Sequence, residues 1–391
     1  MVVVDNDQRR NDSDNDNIDA DAIDDDIDDE DVWRKIIRND PSLTDLTVNH
    51  DFEGYLPPAY DLEGFGRAVG YNTNLRSISL HNDRIPEIPE RLLKFLPGFA
   101  SNRSIENPSI SRWSLSESTT FHNLTKFFSC NEKENLEVDN CYNLPALQFL
   151  LTKFNHLKEF TLSNNFAFSE NVDAIMTALS LHAKLRKLVL CTVSIEGGGF
   201  AAMNKLSNLT EIQLVDCVFD DDGITIFAEC IACNGMLRVL LIEDLNSDIT
   251  EVGWVAIFAA LQRSKCRLKE LHLACSIETE AAAFSLSSAL LIQSKTLKCL
   301  RLDFAELGLV STASWNAVFH FLRSPESTLE DFELDTFCDN EGIAALTNAL
   351  ANNNNLRHVK KLRLYENISE EGWVTSQLFY EIPIQLWRDW T

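Results

Sequence analysis

Features that mark membrane and secreted proteins are missing from this sequence. None of its 391 residues belongs to an apolar run of about 18 residues, the length at which a membrane-spanning helix becomes a candidate. Residues 1–5, MVVVD, turn acidic at once and have neither the basic region nor the long apolar region of a signal peptide. We therefore expect no membrane association and a cytoplasmic or nuclear location.

Motifs of enzymes and metal sites are also missing. The sequence has no phosphate-binding loop, HExxH, GxSxG or dinucleotide fingerprint. Its ten cysteines include only one C-x-x-C pair, Cys230 and Cys233, and no second pair or histidine pair stands at zinc-site spacing. We predict free thiols, no metal or other cofactor, and a protein that is not an enzyme.

Positive charge is scarce, with 34 Lys and Arg residues against 60 Asp and Glu residues and a net charge of −26. Phosphate contacts need a basic surface, so nucleic acid is not the expected ligand. Residues 1–31 hold 13 Asp, one Glu, two Arg and few apolar residues. We predict that this segment is a disordered acidic tail. It either solubilises the protein or contacts basic residues, including those of the chain itself.

What the sequence does contain is a repeat of the pattern apolar-x-x-apolar-x-apolar. Between copies, apolar residues recur at helical spacing, as Ile224, Phe227 and Ile231 do. The sequence thus predicts about twelve strand–helix units. The twelve copies start 23 to 35 residues apart and occupy 43–48, 75–80, 110–115, 133–138, 157–162, 185–190, 209–214, 237–242, 268–273, 297–302, 329–334 and 359–364.

The longer pattern LxxLxLxxN/C is clearest in Leu157–Asn165, Leu209–Cys217 and Val359–Asn367. It resembles the signature of the leucine-rich-repeat superfamily, in particular the ribonuclease-inhibitor-like class with repeats of about 28 residues. The resemblance implies an α/β fold, a right-handed solenoid or horseshoe with a parallel sheet on the concave face and helices outside. The ninth position is Asn or Cys in only four copies, so irregular curvature is expected.

The resemblance covers residues 43 to about 380, and together with the composition of the N-terminal residues it predicts three segments. Residues 1–31 form the acidic tail, and 32–42 form a short capping helix that begins after Asp31. The leucine-rich-repeat domain occupies 43–391. Its aromatic end, 378–390, is either a C-terminal cap or an exposed edge for a partner.

A binding site is predicted from the residues that point away from the core. Positions 1, 4 and 6 of each copy are expected inside, while positions 3 and 5 face the concave surface, with 2 and 7 less certain. Position 2 gives a basic column without acids beside it, next to outward-facing apolar residues and a histidine. These residues suit an apolar centre with a charged rim, although ordinary scattered surface residues would give the same pattern. The predicted partner-binding residues are Lys158, Arg186, Val189, Val215, Arg238, Val239, Leu241, Lys269 and His272.

The sequence therefore predicts a non-catalytic scaffold that binds a protein in the concavity. A partner with an acidic, partly apolar surface would fit, as would the chain's own acidic tail. Two alternatives remain open, together with the oligomeric state. One is a regulator of a small GTPase, since Arg84 lies in a loop comparable to that of the repeat-type GTPase-activating proteins for Ran. The other is a substrate receptor of a ubiquitin ligase, although residues 32–42 are too short for an F-box.

Overall fold

The computed structural model places most of the chain in one α/β solenoid. It describes residues 29–48, 62–82, 90–113, 118–129, 133–141, 144–154, 156–164, 169–195, 202–243, 249–263, 265, 267–275, 277, 279–304, 311–338, 340–353 and 356–366. Residues 1–28 and 367–391, which include most of the predicted acidic tail and the whole aromatic C-terminal segment, lie outside this part of the chain.

Strands and helices alternate along the chain. The sheet strands are β1 (Asp45–Val48), β2 (Ser77–His81), β3 (Asn107–Ser111), β4 (Asn135–Asp139), β5 (Glu159–Ser163), β6 (Lys187–Cys191), β8 (Glu211–Val215), β10 (Val239–Glu243), β11 (Glu270–Ala274), β12 (Cys299–Phe304), β13 (Asp331–Cys338) and β14 (His358–Glu366). Two further strands, β7 (Ser194–Ile195) and β9 (Val218–Phe219), pair only with each other. The helices are α1 (Asp29–Ile37), α2 (Leu62–Tyr71), α3 (Glu90–Phe99), α4 (Ser118–Ser129), α5 (Leu144–Leu151), α6 (Ser169–Leu179), α7 (Asp221–Cys233), α8 (Glu251–Arg263), α9 (Glu280–Gln293), α10 (Thr312–Val318) and α11 (Asn340–Ala351), with a 3₁₀ helix at Phe319–Arg323.

The twelve sheet strands pair in parallel and in chain order, from β1 at one edge to β14 at the other. Because every strand is followed by a connection that returns to the same end of the sheet, the chain advances by one strand per repeat. The sheet is open, so the predicted α/β solenoid of about twelve strand–helix units is confirmed.

Two of the twelve predicted copies are misplaced. The third strand is β3, whose Pro108 and Ile110 align with Ile78 and Leu80, so the copy begins at Ile105 and not at residue 110. Proline lacks only the backbone N–H, and its ring occupies the buried fourth position. The last copy begins at Leu356, because Val359 pairs with Phe332 and a one-residue bulge follows it.

One backbone hydrogen bond recurs at the eighth position of the copies. The residue there often has a positive φ, as at Asn140 (46°) and Asn164 (54°), and its N–H donates to the seventh residue of the next copy. The left-handed conformation favours asparagine, but Arg112, Thr192 and Asp216 adopt it too. The N···O distances are 2.8 to 3.0 Å from Asn82, Arg112, Asn140, Asn164, Thr192, Asp216 and Cys275.

A second recurring device is a buried amide three residues before a copy. Asn102 is fully buried, and its Oδ1 accepts from the N–H groups of Ser104 (2.8 Å) and Ile105 (2.9 Å). Its Nδ2 donates to the carbonyls of Val69 (2.7 Å) and Asn72 (2.9 Å). The side chain therefore satisfies backbone groups that the return from helix to strand leaves without partners. Asparagines in the same role stand at Asn72, Asn234 and Asn353.

The N-terminal end of the solenoid is covered by α1. This helix runs from Asp29 to Ile37, whereas the sequence predicted a disordered tail over 1–31 and a capping helix over 32–42. Trp33 and Ile36 are buried, and the Trp33 ring lies 4.8 Å from the Phe65 ring in α2. An apolar face of α1 thus closes the core beside the first full repeat.

Helices α2 and α3 approach each other at the level of the backbone. Gly66 faces the carbonyl of Phe95, and Gly98 faces the backbone of Gly66 and Arg67. A Cβ atom at either glycine would overlap these backbone atoms. The pair of glycines therefore permits a contact between the helices that no other residue allows.

Candidate protein-interaction surface

The face of the sheet opposite the helices carries the third, fifth and seventh residues of each copy. Burial alternates along the strands, so that Ile78 and Leu80 of β2 are buried while their neighbours are partly exposed. We call these outward residues the open face. No helix of the described residues covers it, so a partner could lie on it.

The register of the strands aligns equivalent positions of successive copies, and this alignment identifies the fold. From β8 through β12, Ile212, Leu240, Leu271 and Leu300 stand side by side at the fourth position, and Leu214, Ile242, Leu273 and Leu302 do so at the sixth. Each copy of the repeat therefore contributes one strand and two stacked apolar side chains to a continuous core. The fold is that of a leucine-rich-repeat protein.

Comparisons with known proteins add little beyond this. No family model and no curated protein matches the sequence. A TLR13–ssRNA13 complex is similar over 87% of this chain and 51% of the TLR13 chain, with 14% identity and a TM-score of 0.44. This chain thus spans about half the length of the TLR13 chain. LegL7 from Legionella pneumophila, a leucine-rich repeat-containing protein, is similar over 86% of this chain and 97% of its own, with 13% identity and a TM-score of 0.38.

The apolar part of the predicted site lies in the middle of the open face. Val239 and Leu241 are outward residues of β10, and Val215 belongs to the neighbouring β8. All three are partly exposed, whereas Val189 of β6 is only 9% exposed. Gln213 separates Val189 from Leu241 at the fifth position. Leu241 therefore lies two residues after Val239 on β10 and diagonally opposite Val215 on β8, and these three residues are called the apolar cluster below; Val189 lies at its margin.

The basic part of the predicted site lies at the N-terminal ends of the strands. Lys158, Arg186, Arg238 and Lys269 each stand one residue before their strand begins. The prediction that this column has no acids beside it is wrong for Lys158, whose Nζ lies 2.6 Å from Oε1 of Glu134 in the preceding copy. Glu134 occupies the same second position, so the two side chains are neighbours across adjacent strands.

The two arginines of this column hold the turn that precedes their strands. The guanidinium of Arg186 donates to the carbonyls of Ala183 (3.1 Å) and Leu185 (3.0 Å). Arg238 donates in the same way to Gly235 (3.3 Å) and Leu237 (2.7 Å). Each arginine thus caps carbonyl groups at the end of the connection, which is a structural role.

Acidic side chains dominate the open face, a feature that the sequence prediction missed. Across β1–β13 it carries eleven Asp or Glu residues but only two Lys or Arg residues, Lys187 and Arg301. A table of the third, fifth and seventh residues would have revealed this excess. The acids are Asp45, Glu137, Asp139, Glu159, Glu211, Glu243, Glu270, Asp303, Asp331, Glu333 and Asp335.

The two bases of the open face are both used in ion pairs within the face. Lys187 contacts Glu211 at 2.7 Å, across one strand spacing. Arg301 contacts Glu243 at 3.1 Å and Glu333 at 4.0 Å. These pairs neutralise part of the negative charge and leave no free Lys or Arg on the outward positions of β1–β13.

His272 lies directly beside Leu241 and belongs to a polar cluster. Its Nε2 is 3.9 Å from the Cys299 sulfur, and its Nδ1 is 3.6 Å from the Glu243 carboxylate. The contact with Cys299 first, and that with Glu243 second, favour the protonated ring and raise the pKa of His272 to about 9. The ring is therefore a cation at neutral pH, tied to Glu243 and so to Arg301.

Three other predictions concern Arg84, metal-binding residues and membrane-spanning helices. Arg84, on which the GTPase-regulator alternative rests, lies outside the described residues. Within the described part of the chain, no group of three or more His, Cys, Asp and Glu side chains is arranged to hold a metal ion. In that same part, no helix combines the length and the apolar character needed to cross a membrane.

Proposed function

We propose that this chain is a non-catalytic scaffold that binds another protein on the open face of its leucine-rich-repeat sheet. The observation that carries the proposal is the cluster of Val215, Val239 and Leu241, which is partly exposed on the strands and is not covered by any helix of the residues that the structure describes. Apolar side chains surrounded by polar ones on a preformed surface are typical of the centre of a protein interface.

We propose a protein and not a nucleic acid because the open face is acidic. On β1–β13, phosphates would meet eleven carboxylates but only two Lys or Arg residues, both of which already form ion pairs. We also propose the ribonuclease-inhibitor-like class, since helices follow most of the strands, and a cytoplasmic or nuclear location. Free thiols at seven described cysteines support that location.

The test replaces the apolar cluster by carboxylates. We expect the double variant Val239→Asp/Leu241→Asp to lose its principal binding protein in quantitative affinity purification, because both changes place charge at the centre of the contact. The matched control is Val252→Asp, in which the valine is 67% exposed on the opposite side, on α8. Equal retention of the same protein by both variants and the wild type would refute the proposed surface.

A further inference from the structure

We propose that the open face around β8–β12 binds a polypeptide segment that carries lysine or arginine side chains next to an apolar one. This inference rests on the proposed function and specifies the chemistry of its partner. It reverses the expectation of an acidic partner, since that expectation relied on the basic second-position column.

The register places carboxylates on both sides of the apolar cluster. At the third position, Val239 of β10 has Glu211 on one side and Glu270 on the other. At the seventh position, Glu243 is the neighbour of Val215. Adjacent strands lie about 4.8 Å apart, so the two carboxylates at the third position stand about 10 Å from each other with the valine between them. A segment crossing the strands meets acid, apolar residue and acid in turn.

Glu270 is the acid best suited to an incoming cation. It is exposed, and no Lys or Arg of the described residues lies within 4.0 Å of it. The same is true of Glu137 and Glu159 on β4 and β5, which extend the negative surface toward the N-terminal end. Glu211, by contrast, already contacts Lys187, so it contributes less free charge.

Charge complementarity selects this occupant over the others available. The chain's own residues 1–31 carry a net charge of −12 and would be repelled by the open face. A second copy of the chain, with a net charge of −26 and the same acidic face, would be repelled as well. A basic segment gains from the exposed carboxylates of Glu137, Glu159 and Glu270 and from burial of the apolar cluster together.

The experiment measures binding of a short synthetic peptide of alternating lysine and leucine to the full chain, by fluorescence anisotropy. We expect the Glu211→Gln/Glu270→Gln variant to bind at least about tenfold more weakly than the wild type. The control, Glu229→Gln/Glu341→Gln, removes the same charge from exposed positions on α7 and α11. It should bind the peptide within about twofold of the wild type.

Equal loss of affinity in both variants would show that the peptide responds only to overall charge, and would overturn the inference. So would tighter binding of the same peptide with glutamate in place of lysine, or of a single-stranded RNA. The inference and the proposed function fail separately. Suppose that the Val239→Asp/Leu241→Asp variant loses the natural partner, whereas the Glu211→Gln/Glu270→Gln variant binds it as the wild type does. The proposed binding surface would then be supported, and the inference of a basic partner would be wrong.

Discussion

Lys133 occupies a buried position at which most copies of the repeat have leucine. We predict that this lysine makes the free energy of unfolding increase as the pH rises above about 7. Lys133 is the first residue of the fourth copy and is fully buried. Its Nζ donates to the Ile105 carbonyl and lies 4.0 Å from the centre of the Phe127 ring. Burial lowers the pKa of Lys133 from 10.5 to about 7, although the charge of Glu106 opposes the shift.

The sign of the effect follows from the two protonation states. The unfolded chain keeps the lysine proton up to about pH 10, whereas the folded chain releases it above about pH 7. The unfolded state therefore binds more protons in this window, and stability rises with pH by up to about 1.4 kcal/mol per unit. At pH 7 the buried lysine costs about 4 kcal/mol relative to a group that does not titrate.

The perturbation is Lys133→Met, which fills the same space without a charge. It leaves the Ile105 carbonyl without its donor, at a cost of about 2 kcal/mol, so the net gain at pH 7 is about 2 kcal/mol. Urea unfolding of both proteins, followed by circular dichroism at pH 7, 8 and 9, gives the comparison. The advantage of the methionine variant should vanish or reverse by pH 9. A difference between the two proteins that stays constant with pH would refute the reasoning.

Further predictions concern packing and backbone satisfaction. Asn102→Ala removes the hydrogen-bond partners of four backbone groups and should lower the free energy of unfolding by about 3 kcal/mol in a urea titration. Its control is Asn352→Ala at an exposed position, which should change the free energy of unfolding by less than about 0.5 kcal/mol in the same titration. Gly98→Ala should destabilise the protein by about 3 kcal/mol or more, because its methyl group would overlap the backbone of α2. Gly235→Ala, where the nearest atom is the Lys265 Cβ at 3.8 Å, is its control and should be close to neutral; equal melting temperatures for the two alanine variants would contradict the backbone contact.

Most of the fold could be predicted from the sequence because apolar residues recur at regular intervals, and each recurrence marks one strand. Ten of the twelve strands lie where the repeat of apolar residues places them. The third copy was misplaced because its fourth position is Pro108, which departs from the aliphatic and aromatic residues of the other copies, although a strand accepts proline where no N–H is needed. The last copy failed because a bulge adds one residue, which a pattern of fixed spacing cannot anticipate.

The candidate site was predicted less well, for a different reason. The apolar residues Val215, Val239 and Leu241 lie at outward positions of the adjacent strands β8 and β10, as the repeat predicts, but their role in binding stays a prediction. The basic column depended on whether the second position belongs to the strand, and the structure puts it one residue before. The repeat itself puts Glu134 beside Lys158, because both occupy the second position of adjacent copies. The turn of Arg186 onto the carbonyls of its own connection depends on three-dimensional proximity, which spacing in the sequence does not contain.

The glycine contact between α2 and α3 has a consequence for the shape of the binding surface. In a strand–helix solenoid the strands keep a spacing of about 4.8 Å, while helices normally need about 10 Å, and this mismatch bends the sheet. Where Gly66 and Gly98 let two backbones touch, the mismatch shrinks. We therefore expect the sheet to bend less at β2 and β3, which carry the small polar outward residues Ser79 and Ser109, than where the helices keep their usual distance.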